Sequence, residues 1–358
     1  MALLALWRRA AWYIERRIQA TRRVIVAGKL LDALALAEKL ESATGRLMKV
    51  EGVVFDVLSG PESTPQPGQF KADGRNPGSG SGAFNPPVLG EVEDICKVLV
   101  NVEPEEVFVC STLSQEQKAR VVHACVDKDI TVSLVPDLYE IMLARVRLKQ
   151  VDDVPVFIIG HLSISLEYMF LKRVTDIALS LLALVLTAPL CLLVGAAVKL
   201  DSRGPVLYRQ KRLTLQGKPF YLYKFRTMVD GAERESGPVL ATENDPRLTR
   251  VGRLIRAARI DEIPQLINVL KGDMSIVGPR PERPFFVNEL VKEIPEYAYR
   301  MNIKSGITGL AQISGRYSTT AENKLKYDLL YTKSYSPARD LAILLQTIKV
   351  ILMKDRAS

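Results

Sequence analysis

The chain has 358 residues, 47% apolar and 25% charged, enough for two domains with real cores, so wholesale disorder is excluded. Lys and Arg number 49 against 40 Asp and Glu, and the formal charge of +9 favours anionic partners: nucleic acid, a phospholipid surface or a phosphorylated substrate. Four cysteines with no CxxC spacing and only two histidines argue against a zinc cluster or a disulfide framework, fit a reducing, cytosol-facing location and leave acid–base chemistry to carboxylates.

Residues 1–20 contain too short an apolar run for a signal peptide. They read as an amphipathic lead-in helix with Arg8, Arg9, Arg16 and Arg17 at phosphate level and Trp7, Trp12 and Tyr13 at interfacial depth; packing on its own domain is the alternative. Residues 21–160 alternate between strand-like and helix-like segments. RVIVAG, VEGVVFDVL, 105–110 and ITVSLVP read as strands, and 30–42, 91–100 and 114–127 as helices. That alternation predicts an α/β domain, a Rossmann-like parallel sheet with helices on its faces, interrupted by a mobile Gly-, Pro- and Ser-rich loop at 59–87. The first turn, Ala27-Gly28-Lys29-Leu30-Leu31-Asp32, lacks GxGxxG, so a regulatory or scaffolding role is expected rather than redox catalysis.

A second domain, 161–358, opens on the uncharged run Ile177–Val198, long enough to span a bilayer. Pro189 near its middle removes a backbone donor and favours a kink. Lys172 and Arg173 before the run, and Lys199 and Arg203 after it, place both ends on the basic, cytoplasmic side. A bent, re-entrant helix satisfies both observations; a straight span or a buried core helix is the alternative. Beyond Asp201, VLYRQKR and PFYLYKFRTM form a hairpin through LQGK, and the rest is mainly helical. The tail from Leu341 to Met353 reads either as a core helix or as an interfacial one.

The chemistry concentrates in RLIRAARIDEIPQLINVLKGDMSIVGPRPE. Asp261 and Glu262 are adjacent, and Pro264 suits a first helical turn, so a helix is expected from near Asp261 to Leu270. Acids at a helix start are also ordinary caps. Against capping alone stand the arginines at 253, 256 and 259, and Arg280 held between two prolines, where a guanidinium can clamp phosphate.

Together with KRVTDIALSLLALVLTAPL, KLDSRGPVLYRQKR, GKPFYLYKFRTM, NDPRLTRVGRLIR and SGITGLAQISGR, in that order, these motifs resemble the bacterial sugar transferases that load polyprenol phosphate. These are the monotopic phosphoglycosyl transferases, or polyprenyl-phosphate hexose-1-phosphate transferases, and the resemblance runs from about Leu171 to the C-terminus. The preceding region is similar to the nucleotide-binding-like domain of the larger members. Those usually begin with a bundle of membrane helices, so a naturally short or a truncated form is expected here.

The resemblance implies transfer of a sugar 1-phosphate from a UDP-sugar to undecaprenyl phosphate, releasing UMP, as the first membrane step of surface polysaccharide assembly. It implies a bacterial inner-membrane location with the catalytic domain facing the cytoplasm, in contact with membrane lipids, and a mainly α catalytic domain with a re-entrant helix kinked at Pro189. Asp261 would attack the sugar-linked phosphorus and Glu262 would hold Mg²⁺. Arg256, Arg280 and Arg316 would contact phosphate or nucleotide, Arg212 and Arg226 would line the substrate site ahead of Lys224, and Lys172 and Arg173 would meet lipid phosphate or headgroups. Nucleic acid is not an expected partner, since no aromatic-interleaved basic platform appears. The α/β domain offers a surface for a homodimer. The competing reading is a catalytically silent membrane scaffold that recruits assembly partners.

Overall fold

The computed structural model describes residues 21–44, 47–56, 86–143, 147–151, 154–158, 165–232, 245–315 and 319–352. The expected lead-in helix, almost all of the 59–87 loop, and Arg316 lie outside the described residues. The chain divides into two units, Met1–Asp137 and Leu138–Ser358.

The first unit runs β1 (Arg22–Gly28), α1 (Leu30–Thr44), β2 (Met48–Phe55), β3 (Val88–Glu91), α2 (Ile95–Val102), β4 (Glu106–Val109), α3 (Gln115–Val126) and β5 (Thr131–Leu134). All neighbouring strands pair in parallel, in the order β3-β2-β1-β4-β5. Period-two alternation in β1 serves two cores. Val24 and Val26 pack with Ala33 and Ala37 of α1, whereas Ile25 and Ala27 pack with Ile95 of α2 and Val121 of α3. β3 corrects the expectation of a helix from Glu91: the strand ends there and α2 begins at Ile95.

The second unit contains α4 (Leu138–Leu143), a hairpin of β6 (Arg147–Val151) and β7 (Val154–Ile158), the long helix α5 (Leu166–Asp201), and a second hairpin of β8 (Leu207–Leu213) and β9 (Pro219–Phe225). Then follow α6 (Arg250–Ala257), α7 (Gln265–Lys271), β10 (Ser275–Val277), α8 (Pro284–Glu293), a 3-10 segment Pro295–Asn302, β11 (Gly306–Thr308), α9 (Leu310–Ser314), α10 (Ala321–Lys333) and α11 (Pro337–Leu352). Ile141 of α4 is buried with Val287, Tyr297, Leu325 and Leu329, so the chain joins this core well before residue 160.

Helix α5 is longer than the apolar run that marks it. It is long and apolar enough to cross a membrane, and only 11% of its most apolar 18-residue stretch is buried. Burial of that order does not describe the core helix of a soluble protein. Lys172, Asp176 and Ser180, spaced by four, form a buried stripe near its start, and Val194 and Val198 another near its end. Between them Leu181, Leu182, Val185 and Leu186 are exposed. Pro189 lies inside the continuous helix. Two residues before it, the Thr187 hydroxyl donates to the Ala183 carbonyl at 2.7 Å.

The β8–β9 hairpin turns through Gln216 and Gly217, both at positive φ. Phe220 and Leu222 of β9 pack on Val269 of α7 and on Met274. Asn268, fully buried, fastens the two elements together: it accepts from the Tyr223 N–H at 3.0 Å and donates to the Tyr221 carbonyl at 2.8 Å. Helix α11 combines both readings of the tail, with Ile343 buried against Tyr331 and Tyr335 while Leu341, Leu345 and Ile348 remain exposed.

Candidate active site

The acid pair does not sit where helix capping would put it. Helix α6 ends at Ala257, and Arg259 turns the chain through a left-handed conformation (φ 56°, ψ 19°) into a 3-10 turn, Ile260–Glu262. Helix α7 begins only at Gln265, with Pro264 before it and no side chain capping its N-terminus. The expected helix start at Asp261 is thus corrected by four residues, and both carboxylates are left available for other work.

Asp261 is 6% exposed. Burial raises its pKa, with neighbouring Glu262 adding to the rise and Lys224, Arg256 and Arg280 opposing it. Glu262 follows the opposite course. Burial would raise it, but Arg280, Lys224 and Arg259 outweigh that and hold it at about 2. The geometry agrees: Arg280 Nη2 lies 2.8 Å and Lys224 Nζ 3.4 Å from Glu262 Oε1. Two adjacent carboxyls are thereby separated in character, one firmly ionised and paired, the other buried and more basic.

Lys224 reaches the pair because of strand alternation: it shares the α7-facing side of β9 with Phe220 and Leu222. Burial pulls its own pKa down, against the pull of Glu262. Arg280 reaches it from the Gly278-Pro279-Arg280-Pro281 loop. A Cβ on Gly278 would come 2.4 Å from the Lys304 carbonyl oxygen, so only glycine lets this loop lie against the strand entering β11.

The remaining expected residues separate into distinct places. Arg256, half-buried in the last turn of α6, acts electrostatically on Asp261. Arg212 is spent on the loop itself, donating to Gln210 Oε1 at 2.6 Å and to the Pro281 carbonyl at 3.1 Å, with Glu282 at 3.6 Å. Burial lowers its pKa to about 10. Arg226 is 4% exposed and donates to the Ser202 and Arg203 carbonyls at 2.7 and 2.8 Å, tying β9 to the end of α5. Gly204 (φ 122°) makes room, since a Cβ there would meet Arg226 Nη1 at 2.0 Å. The sequence ranks Arg226 above Lys224; in the structure the lysine faces the acid pair and the arginine's Nη donors serve a turn.

Lys172 and Arg173, expected at headgroups, are directed into the protein. Lys172 lies 2.6 Å from Asp340 Oδ2 and 3.1 Å from Tyr331 OH, within a buried cluster. Arg173 donates to the Val269 and Leu270 carbonyls at 2.6 and 2.8 Å, where α7 ends and the helix dipole favours a cation.

Among the described residues, no group of three or more His, Cys, Asp and Glu is clustered as a metal site. The acid pair nonetheless suits Mg²⁺, which binds oxygen through one or two carboxylates when substrate phosphates and water complete its shell. Glu262, held ionised, is the better donor of the two.

The ion pairs at Glu262 give a pH signature. A depressed folded pKa contributes stability that is complete above the unfolded value of about 4.5 and is lost as pH falls towards about 2. Glu262→Gln is expected to flatten the thermal-stability profile in that window, as measured by calorimetry. An unaltered profile would mean that these cations do not hold Glu262 ionised.

A long apolar helix in the same unit as one buried and one ionised carboxylate, both faced by cations, suits a phosphorylated ligand near a lipid surface. The family profile of bacterial sugar transferases matches residues 167–354, and the chain belongs to that family. It is 39% identical over 236 residues to the UDP-N-acetylgalactosamine-undecaprenyl-phosphate N-acetylgalactosaminephosphotransferase of Aeromonas hydrophila, covering 65% of this chain and 55% of the relative. It is 31% identical over 347 residues to the UDP-glucose:undecaprenyl-phosphate glucose-1-phosphate transferase of Klebsiella pneumoniae, covering 95% of this chain and 70% of the relative. A Caulobacter vibrioides protein of that same description is 46% identical over 193 residues, covering 52% and 71%. The chain thus spans just over half the length of the Aeromonas relative and about 70% of the other two.

Glu282, Arg300 and Asp328 escaped sequence reading. Glu282 directly follows the Arg280 loop, but no spacing links it to Arg300 or Asp328, and only the fold brings those two behind the loop.

Proposed function

We propose that the protein transfers a sugar 1-phosphate from a UDP-sugar to undecaprenyl phosphate, yielding the undecaprenyl-diphosphate-sugar and UMP. The observation that carries this reading is the buried Asp261 beside the ionised Glu262, faced by Lys224, Arg256 and Arg280. In the first step the Asp261 carboxylate forms a bond to the sugar-linked phosphorus as the bond to the bridging diphosphate oxygen breaks and UMP departs. In the second, an oxygen of undecaprenyl phosphate attacks the same phosphorus and frees the carboxylate. Burial makes Asp261 more basic, hence more nucleophilic, than an exposed aspartate, while the flanking cations offset repulsion between carboxylate and diphosphate. Glu262 would hold Mg²⁺, which neutralises phosphate charge when bound. Arg280 and Arg256 would bind the phosphates, and Arg316 is a further candidate.

The proposed placement is read from α5. A straight helix of 36 residues is about 54 Å long, more than a bilayer core. Yet Lys172 and Asp176 near one end bond to Asp340 and the Ile276 N–H, and Val198 near the other packs with Phe225 and Ile255. Attachment of both ends to one unit supports a helix that enters and leaves the inner membrane by its cytoplasmic face, bending at Pro189. Labels at residues 172 and 203 are expected to report the same side; opposite sides would overturn re-entry. The first unit, with its parallel sheet, is read as the Rossmann-like accessory domain of a larger-type family member, and as a candidate dimer surface.

The deciding experiment is UMP release from a panel of UDP-sugars by purified, lipid-embedded protein. Release that needs undecaprenyl phosphate and Mg²⁺ is expected, and the active donor names the sugar. No release with any donor from folded protein would overturn the reading in favour of a silent scaffold.

A further inference from the structure

The Gly278–Pro281 loop cannot hold itself in place. Pro279 and Pro281 have no N–H, so the loop depends on donors from outside. Its three consecutive carbonyls each receive one from a different element. Pro279 accepts from the Gly306 N–H at 2.8 Å, Arg280 from Arg300 Nη2 at 3.1 Å, and Pro281 from Arg212 Nη1 at 3.1 Å. Of these donors, Arg300 is the one with a deeply buried counter-ion. It is 4% exposed, its Nη2 lies 2.9 Å from Asp328 Oδ2 in α10, and its Nη1 donates to the Tyr297 hydroxyl. Asp328 is 1% exposed.

A buried ion pair is a poor choice for stability alone, because apolar residues of similar volume commonly serve as well or better. A guanidinium offers something they cannot, a rigid charged plane that can pair with a carboxylate and donate to a carbonyl in fixed relative geometry. Here Nη2 lies between the two, 2.9 Å from the Asp328 carboxylate of helix α10 as an ion pair and 3.1 Å from the main-chain carbonyl of Arg280, whose side chain lies 2.8 Å from Glu262. We infer that Arg300, anchored by Asp328, is a positioning residue that holds the Arg280 main chain so that its guanidinium stays on Glu262. The inference rests on the proposed transfer reaction for its catalytic consequence, but not for its structural content.

Removing Arg300 alone strands Asp328 and endangers folding, so the test uses Arg300→Met/Asp328→Leu, which removes both charges together. Hydrogen exchange at the Leu213 N–H, which donates to the Glu282 carbonyl at 3.0 Å just past the loop, is expected to quicken at least about tenfold while β10 and β11 stay protected. The turnover number for UMP release is expected to fall about 10- to 100-fold, the usual cost of a misplaced group. Arg280→Ala combined with the pair is expected to be no slower than Arg280→Ala alone, since Arg300 acts through Arg280. A merely structural role would instead make the losses multiply. Should the pair fail to fold, Arg300→Lys keeps the charge but loses the fork, and the same changes are expected in smaller measure. Unchanged exchange, retained turnover or multiplying losses would each overturn the inference. If the wild-type protein shows no turnover, the transfer reading fails, and exchange alone decides whether Arg300 holds the loop.

Discussion

Asp261→Asn is expected to reduce UMP release on the order of 10⁴-fold, the loss typical of removing a covalent nucleophile. The amide matches the carboxyl in size, so the 3-10 turn at Ile260–Glu262 has no steric reason to change. Stability is expected to respond in the opposite direction. A buried carboxyl whose folded pKa is raised binds its proton more tightly in the native state. As pH rises above the unfolded value of about 3.8 its ionisation increasingly opposes folding, and below that value the penalty vanishes. The neutral amide removes the penalty, so the variant is expected to melt at or above the wild-type temperature at pH 7. Such exchanges of stability for function are common where an active group is held in an unfavourable setting. Near-normal turnover would overturn the nucleophile assignment. Lost turnover with a lower melting temperature would place Asp261 among the structural residues instead.

Asp328→Ala is expected to produce the largest loss of stability. It leaves the Arg300 guanidinium, 4% exposed, without its counter-ion in the core that also contains Tyr297, Leu325 and Leu329. Breaking a buried pair from one side costs about 3–5 kcal/mol, far more than the net value of the intact pair. For a unit of this size each kcal/mol lowers the melting temperature by roughly 2–4 °C, so a decrease of roughly 6–20 °C is expected. A change within about 2 °C would show that Glu282, 3.9 Å from Arg300, or solvent compensates the charge.

How much of this was legible in the sequence depended on how local each signal is. Strand alternation in RVIVAG and the apolar spacing after it are local, and β1, α1 and the parallel sheet follow from them. The β8–β9 hairpin was equally readable, because two strand-like runs flank a turn that carries glycine. β3 was not: its four residues, VLGE, make a strand only through their pairing with β2. The acid pair could be found from adjacent carboxylates among arginines, but its helix start could not, because Arg259 reverses the chain at a residue that nothing in its type marks for positive φ.

The basic residues divide most clearly. Arg280 and Arg256 were singled out as phosphate contacts by proline constraint and motif position, and the structure sets both near the acids. Arg226, Lys172 and Arg173 have the same chemistry in the sequence, yet their partners are Ser202, Asp340 and the carbonyls ending α7. A charge in a sequence says only that a partner is needed; which one is supplied depends on elements that can lie more than a hundred residues away. By itself the sequence determined the alternating α/β part, the long apolar helix and the adjacent Asp261–Glu262 pair, because these depend on periodicity and on side-chain type. The tertiary structure alone decided which cations face the acids, which hold the loop that presents Arg280, and that both ends of α5 attach to one unit. Those choices rest on burial and distance between remote segments, which exist only after the chain has folded.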